Sequence, residues 1–209
     1  MSASLLICGF GAFPQAPRNP AQAAIEALSE VGWSPDGALV RYLVLPVAWR
    51  GSAEAVLAQL AAESVDAVLV VGVAVSAQSF HVERLGRNRA ALQKADDLGD
   101  VWSIETVSTA GADELRVTAP VRSMVTAIER LGLPAELSDD AGDYLCNFTL
   151  YRLLEAQAAP AVGFLHVPQA LECAEGARFT LADIGAAVQA AAEAMTQALS
   201  RPDASRRTA

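Results

Sequence analysis

Four short apolar runs without polar alternation, residues 5–10, 39–45, 67–73 and 161–167, constrain this chain more than any other feature. A strand that alternates has one wet face; a strand that does not is covered on both. Between these runs, residues 21–31 and 53–63 are rich in alanine and helix-forming, and Val121, Met124, Val125, Ile128 and Leu131 recur at the spacing of one helical face. Gly132 and Pro134 end that helix. A last helix opens at Thr180, with Asp183 in the capping-box position, and carries Leu181, Ile184, Val188, Met195 and Leu199 along one stripe. This rhythm predicts an α/β sandwich in which the four runs are the central strands. Residues 89–118, with mixed charges, Trp102 and several short β-like pieces, read as a hairpin or an excursion from the core.

A chain of 209 residues, 53% of them hydrophobic, suits one compact domain over residues 1–199. The polar stretch 200–209, with Arg206 beside Arg207, is expected to be a disordered tail. Lys plus Arg number 15 against 24 for Asp plus Glu, a formal charge of −9. That balance argues against nucleic acid as a partner, whose phosphates need a basic surface, and against an electrostatic hold on acidic membranes. The apolar runs fall far short of the roughly 20 residues a bilayer requires. No basic residue precedes the first of them, so a cytoplasmic location is expected. Cys8, Cys146 and Cys173 are widely spaced and form no Cys-x-x-Cys pair, which indicates neither a disulfide framework nor a zinc site.

Cys146 precedes a run in which Leu150, Leu153 and Leu154 fit a helix, so it sits at a helix start. Unpaired N–H groups and the helix dipole favour an anion there, which promotes the thiolate of a nucleophile; a buried structural cysteine is the alternative. A thiolate that attacks an amide needs a proton donor for the departing amine, and imidazole titrates in the right range. Of the two histidines, His166 closes an apolar strand just before Pro168, and strand carboxyl ends line the functional crevice of open α/β sheets. A satisfied core histidine has the same pattern. His81 reads as a solvated residue of a polar loop. Many carboxylates could orient the imidazole; Glu83 follows the turn after the third run, at the crevice edge, yet on composition alone it is a surface acid.

Taken together, these residues resemble the pyroglutamyl peptidase I family, also called pyrrolidone-carboxylate peptidases. Gly9-Phe10-Gly11-Ala12-Phe13 followed by Asn19-Pro20 is similar to that family's N-terminal motif, and Leu45-Pro46-Val47 follows its second strand. Glu83-Arg84 with Asn88, Tyr144-Leu145-Cys146-Asn147 after Ala141-Gly142, and Gly163-Phe164-Leu165-His166-Val167-Pro168 match its glutamate, nucleophile and histidine motifs. The likeness extends to about Leu199. It implies a three-layer α/β/α sandwich around a mostly parallel sheet, and removal of an N-terminal pyroglutamyl residue from peptides without metal or cofactor. It implies a triad of Cys146 as nucleophile, His166 as proton donor and Glu83 as its orienter. Phe10 and Phe13 would embrace the lactam ring, Asn19 would be a polar site residue, and Tyr144 and Leu145 would form the pocket wall. A homo-oligomer, tetramer or dimer, is implied as well.

The sequence also departs from the family. Where the family reads Gly-Gln-Ala-Gly-Gly-Arg, this chain has Gly72-Val73-Ala74-Val75-Ser76-Ala77, which predicts a different path for that loop. Gln93 occupies the position of a family arginine near the reacting carbonyl, leaving Lys94, Arg89 or Arg87 as substitutes. Asp139, Asp140 and Asp143 crowd the nucleophile motif, and carboxylates near a thiol oppose its ionisation, which predicts a pH optimum displaced upward or a preference for a basic residue after the pyroglutamate. Two alternatives accompany the peptidase reading: a weak or inactive homologue that binds small molecules or assembles, and an amidase for a related N-acyl group. A nucleotide-binding turn at Gly9-Phe10-Gly11 is discounted, because Pro14 stands where the third glycine belongs.

Overall fold

The computed structural model describes residues 2–200. Eight strands and five helices follow one another along these residues. They run β1 (Ala3–Phe10), α1 (Pro20–Glu30), β2 (Ala38–Leu45), α2 (Ser52–Ala62), β3 (Ala67–Val73), β4 (Phe80–Glu83), β5 (Leu85–Arg87), β6 (Glu114–Arg116), α3 (Val121–Glu129), β7 (Ala135–Ser138), α4 (Leu145–Glu155), β8 (Ala161–Val167) and α5 (Leu181–Ser200). The central sheet has the order β2-β1-β3-β8-β4-β7. Its first four strands are mutually parallel, β4 runs antiparallel to β8, and β7 is parallel to β4.

Strand alternation divides the core in two. Leu5, Ile7, Leu69, Val71 and Leu165 face α1, α3 and α5, whereas Leu6, Cys8, Val68, Val70 and Phe164 face α2 and α4. Both faces of β1, β3 and β8 are thereby covered, which is why their sequences lack polar alternation. The result is the expected three-layer sandwich.

The second run departs from expectation. β2 is an edge strand rather than a central one, pairing only with β1, and Leu39 and Val44 are exposed. Arg41 of this strand forms an ion pair with Glu63 just past α2, a charge that blunts the free edge. Residues 80–83 and 135–138, which lie outside the apolar runs, form β4 and β7. His81 is accordingly not a solvated loop residue: it is half-buried on β4, in register with His166, and its ring contacts Ser79 and Glu136 at 3.2 Å.

Residues 89–118 realise both expected alternatives. β5 and β6 pair as an antiparallel ribbon, and residues 88–113 between them form a long excursion that buries Ala90 and Val107 in the core on the α4 side. Asn88 closes its base: the side-chain amide donates to the carbonyls of Ser108 and Gly111 and accepts from the Ser108 N–H. Gly86 lets the ribbon lie on α4, since a Cβ there would stand 3.0–3.1 Å from the Tyr151 backbone. The capping box of α5 forms as read, with Thr180 and Asp183 exchanging side-chain-to-backbone bonds at 2.8 and 3.1 Å. Ser200 is the last residue of α5. The rest of the expected tail, 201–209, lies outside the described residues.

Candidate active site

Three strand positions and one helix start converge on the α4 face of the sheet. Val71 and Leu165 point to the opposite layer, so their neighbours Gly72 and His166, which are in register on β3 and β8, face α4. Val82 likewise faces away, which turns Glu83 at the end of β4 toward the same side. α4 begins at Leu145 above them and presents Cys146 in its first turn.

Glu83 is fully buried and His166 is 7% exposed. His166 Nδ1 lies 2.8 Å from Glu83 Oε1. A buried carboxylate is costly unless it is paired, and this contact is its only pairing, since Glu83 Oε2 has no partner among the described residues. With Nδ1 committed to Glu83, the imidazole turns its other nitrogen to the thiol. Burial pulls the His166 pKa down, but the charge and hydrogen bond of Cys146 and the carboxylate of Glu83 outweigh it and raise the pKa to about 10. The imidazolium is thus the form favoured at neutral pH, held between sulfur and carboxylate.

The sulfur rests on a glycine. A Cβ added to Gly72 would lie 2.9 Å from Cys146 Sγ and 3.0 Å from the Phe164 ring. At the α4 start, the first intrahelical bond runs from the Phe148 N–H to the Tyr144 carbonyl, so the N–H groups of Leu145, Cys146 and Asn147 make no helical bond. Asn147, fully buried, spends its side chain elsewhere. It accepts from the Arg87 N–H and donates to the Arg87 and Arg89 carbonyls, fastening the ribbon to the nucleophile helix.

Cys146 opens into a cavity of about 450 Å³. Phe10, Phe13, Asn19, Tyr144 and Leu145, all expected from the sequence, line it. Asn19 has a second task, capping α1: its Oδ1 accepts from the Ala21 N–H and its Nδ2 donates to the Gly11 carbonyl. The sequence reading did not single out Val47 and Ala95 as lining residues. Val73 and Val75 also line the cavity, on a tight turn closed by the Ala77 N–H to the Ala74 carbonyl. No residue from Val73 to Ala77 adopts positive φ, so this turn does not call on the backbone freedom of glycine.

Of the cations considered as substitutes near Gln93, only Lys94 lines the cavity, its Nζ 4.0 Å from the Tyr144 ring centroid. Gln93 itself is exposed. Arg89 is engaged by Asp140 and the Gly142 carbonyl. Asp139 likewise pairs with Arg84. Two of the three acids that crowd the nucleophile motif are therefore neutralised, and the Asp140 carboxyl is held below its usual range against burial by the Gly142 N–H and Arg89. The expected acidic field on the thiol is reduced to Asp143.

Behind Tyr144 the packing is aromatic and tightly tied. Trp49, fully buried, stacks edge-on against Tyr144 and Phe148 at 5.0 and 5.3 Å. Its indole N–H donates to the Lys94 carbonyl, its backbone N–H donates to buried Asp96, and the Tyr144 hydroxyl donates to the Ala95 carbonyl.

The sequence profile described as pyroglutamyl peptidase matches residues 3–198. A pyrrolidone-carboxylate peptidase of Staphylococcus saprophyticus is 31% identical over 202 residues, covering 92% of this chain and 93% of that protein. One from Streptococcus pneumoniae is 30% identical over 200 residues, covering 91% and 92%. The crystal structure of the pyroglutamyl peptidase I from Bacillus amyloliquefaciens superposes with a TM-score of 0.86 at 25% identity, covering 94% of this chain and 96% of that one. A profile matched from the first strand to the last helix, relatives aligned over nine-tenths of their length and a shared three-layer fold lead to one assignment: the chain belongs to the pyroglutamyl peptidase family.

Proposed function

We propose that this protein is a cysteine peptidase that removes an N-terminal pyroglutamyl residue from peptides, with Cys146, His166 and Glu83 as its catalytic residues. The observation that carries this reading is the buried relay itself. Glu83 touches His166 Nδ1 at 2.8 Å, and the Cys146 sulfur is close enough to raise the imidazole pKa. Cys146 Sγ attacks the carbonyl of the pyroglutamyl residue; the bond to the next residue breaks, and His166 gives its proton to the departing amine. Water then attacks the thioester, His166 takes the proton, and pyroglutamate leaves. Glu83 holds the ring in the tautomer and orientation both steps need. The unpaired N–H groups at the α4 start support the oxyanion.

Phe10 and Phe13 suit a flat, uncharged lactam, and Asn19, Tyr144 and Leu145 complete its surroundings. A lactam has no ammonium to anchor, which fits a wall with no carboxylate but Asp143. The intact relay disfavours an inactive homologue, and the aromatic pair disfavours a different N-acyl group. Residues 1–199 act as one catalytic unit in this reading, in the cytoplasm. No described helix is long and apolar enough to cross a membrane. Exposed Leu92, Leu98, Val101 and Ile104 on the excursion support a homo-oligomer, dimer or tetramer, which sedimentation equilibrium would measure.

Release of aminocoumarin from its pyroglutamyl derivative tests the activity. Wild type is expected to hydrolyse it and Cys146→Ala to lose about 10³-fold or more in kcat. Equal rates for the two proteins would overturn the assignment.

A further inference from the structure

A second cavity, of about 260 Å³, adjoins the first, and Gln15 and Val75 line both. Val75, on the turn after β3, stands as the ridge between them. Gln78 and Gln169 line the second cavity, and Arg178 and Glu175, of opposite charge, line it too. Gln169 follows His166 by three residues along the exit of β8, and its Oε1 is buried with no hydrogen-bond partner among the described residues. Resting on the peptidase reading above, we infer that this second cavity binds the chain that follows the pyroglutamyl residue, with Gln169 and Gln78 grasping its backbone.

The chemistry fixes the direction. His166 must protonate the departing amine, so the leaving chain starts beside its ring, and the polypeptide just beyond His166 is what forms the second cavity. The first cavity, across Cys146, is left to the lactam. An amide side chain recognises a peptide group whatever residue carries it, because it offers one acceptor and one donor of matching geometry. Arg178 and Glu175 bring one charge of each sign to the lining, so the cavity has no net charge from these two residues. The substrate class is therefore pyroglutamyl peptides with at least two further residues, in preference to pyroglutamyl dipeptides. The Gln169 amide turns outward to meet the chain, exchanging an unpaired oxygen for a bonded one.

The test compares kcat/KM for pyroglutamyl-alanine amide with that for pyroglutamyl-trialanine amide. Wild type is expected to favour the longer peptide by about tenfold. Gln169→Leu, which keeps size and removes the acceptor, and Gln78→Trp, which obstructs the cavity from an exposed position, are each expected to bring the ratio to about one, chiefly through a lower kcat/KM for the longer peptide. Gln169→Glu, which retains an acceptor, is expected to retain the preference. A wild-type ratio within about twofold of unity, or a ratio that survives both Gln169→Leu and Gln78→Trp, overturns the inference and leaves the peptidase reading standing. Failure of wild type to cleave either peptide overturns the peptidase reading itself, and the inference with it.

Discussion

Gly72 and Cys146 are so close that a single added carbon would meet the sulfur: a Cβ on Gly72 would stand 2.9 Å from Cys146 Sγ. The same Cβ would also press on Phe164, which is fully buried, so the sulfur is the atom that must yield, toward the cavity. Gly72→Ala is therefore expected to lower kcat by about 10²-fold, because displacement of a reacting atom by an ångström is enough for such a loss. Fold and melting temperature should change far less. Steady-state kinetics beside thermal unfolding checks this, and an unchanged kcat would show that the sulfur sits elsewhere during attack.

His166 offers a pH test with a definite sign. Its pKa is raised from 6.5 to about 10, against burial, by Cys146 and Glu83. A raised pKa means the folded state binds the proton more tightly than the unfolded one. The associated stability is complete below about pH 6.5 and is lost as pH climbs toward 10. Imidazole NMR should find the ring protonated at neutral pH in wild type. Cys146→Ala, which removes the largest contribution raising the pKa, should lower it. The two titrations coinciding would refute the sulfur–imidazolium pairing.

Glu83→Gln keeps the size of the buried side chain and removes its charge. It is expected to reduce kcat by about 10²-fold or more, through loss of the group that orients and stabilises the imidazolium. Its His166 titration should also move down. Activity within a factor of about three of wild type would reduce Glu83 to a packing residue.

Asp139 and Asp140 lead to the opposite kind of prediction. Each is paired with an arginine, Arg84 and Arg89, and each carboxylate is substantially exposed. The double variant Asp139→Asn, Asp140→Asn should leave the pH profile of kcat/KM in place, with stability reduced by about 1 kcal/mol or less. A clear acid shift would revive the view that these residues hold the thiol neutral.

Trp49 backs Tyr144 from behind the cavity, and Trp49→Ala should cost about 3–5 kcal/mol of stability in chemical denaturation. Trp49→Phe preserves most packing but frees the Lys94 carbonyl, so its main effect should fall on KM. Equal effects on stability from both variants would show that the hydrogen bond, not the ring volume, matters.

How much of this was visible in the sequence follows from where each signal resides. The runs at β1, β3 and β8 announced themselves because both faces are buried. β2 carried nearly the same signal from the sheet edge, since a strand's apolar content does not record whether a neighbour lies beyond it. β4 and β7 are four residues each, too short for periodicity, and that is why His81 read as a loop residue. The helix start placed Cys146, and the strand end placed His166. Nothing local distinguishes Glu83 from a surface acid; its burial is created by β8 and β4 meeting antiparallel, a contact between residues 83 apart. Val75 is legible as a departure from the family pattern and Lys94 as a substitute for the arginine that Gln93 replaces, but neither as part of the cavity wall. The pairing of Asp139 and Asp140 with arginines 55 and 51 residues away was beyond any reading of adjacent charge.

The excursion between β5 and β6 is fastened at its root by a three-residue ribbon, by Asn88 and by Asn147, and its tip is held by Trp49 on the Lys94 carbonyl and Tyr144 on the Ala95 carbonyl. Tyr144 stands two residues before the nucleophile, so the excursion and the reacting centre share one scaffold. A change made inside the excursion to alter what the enzyme accepts is therefore transmitted to the sulfur, and selectivity and speed must evolve together.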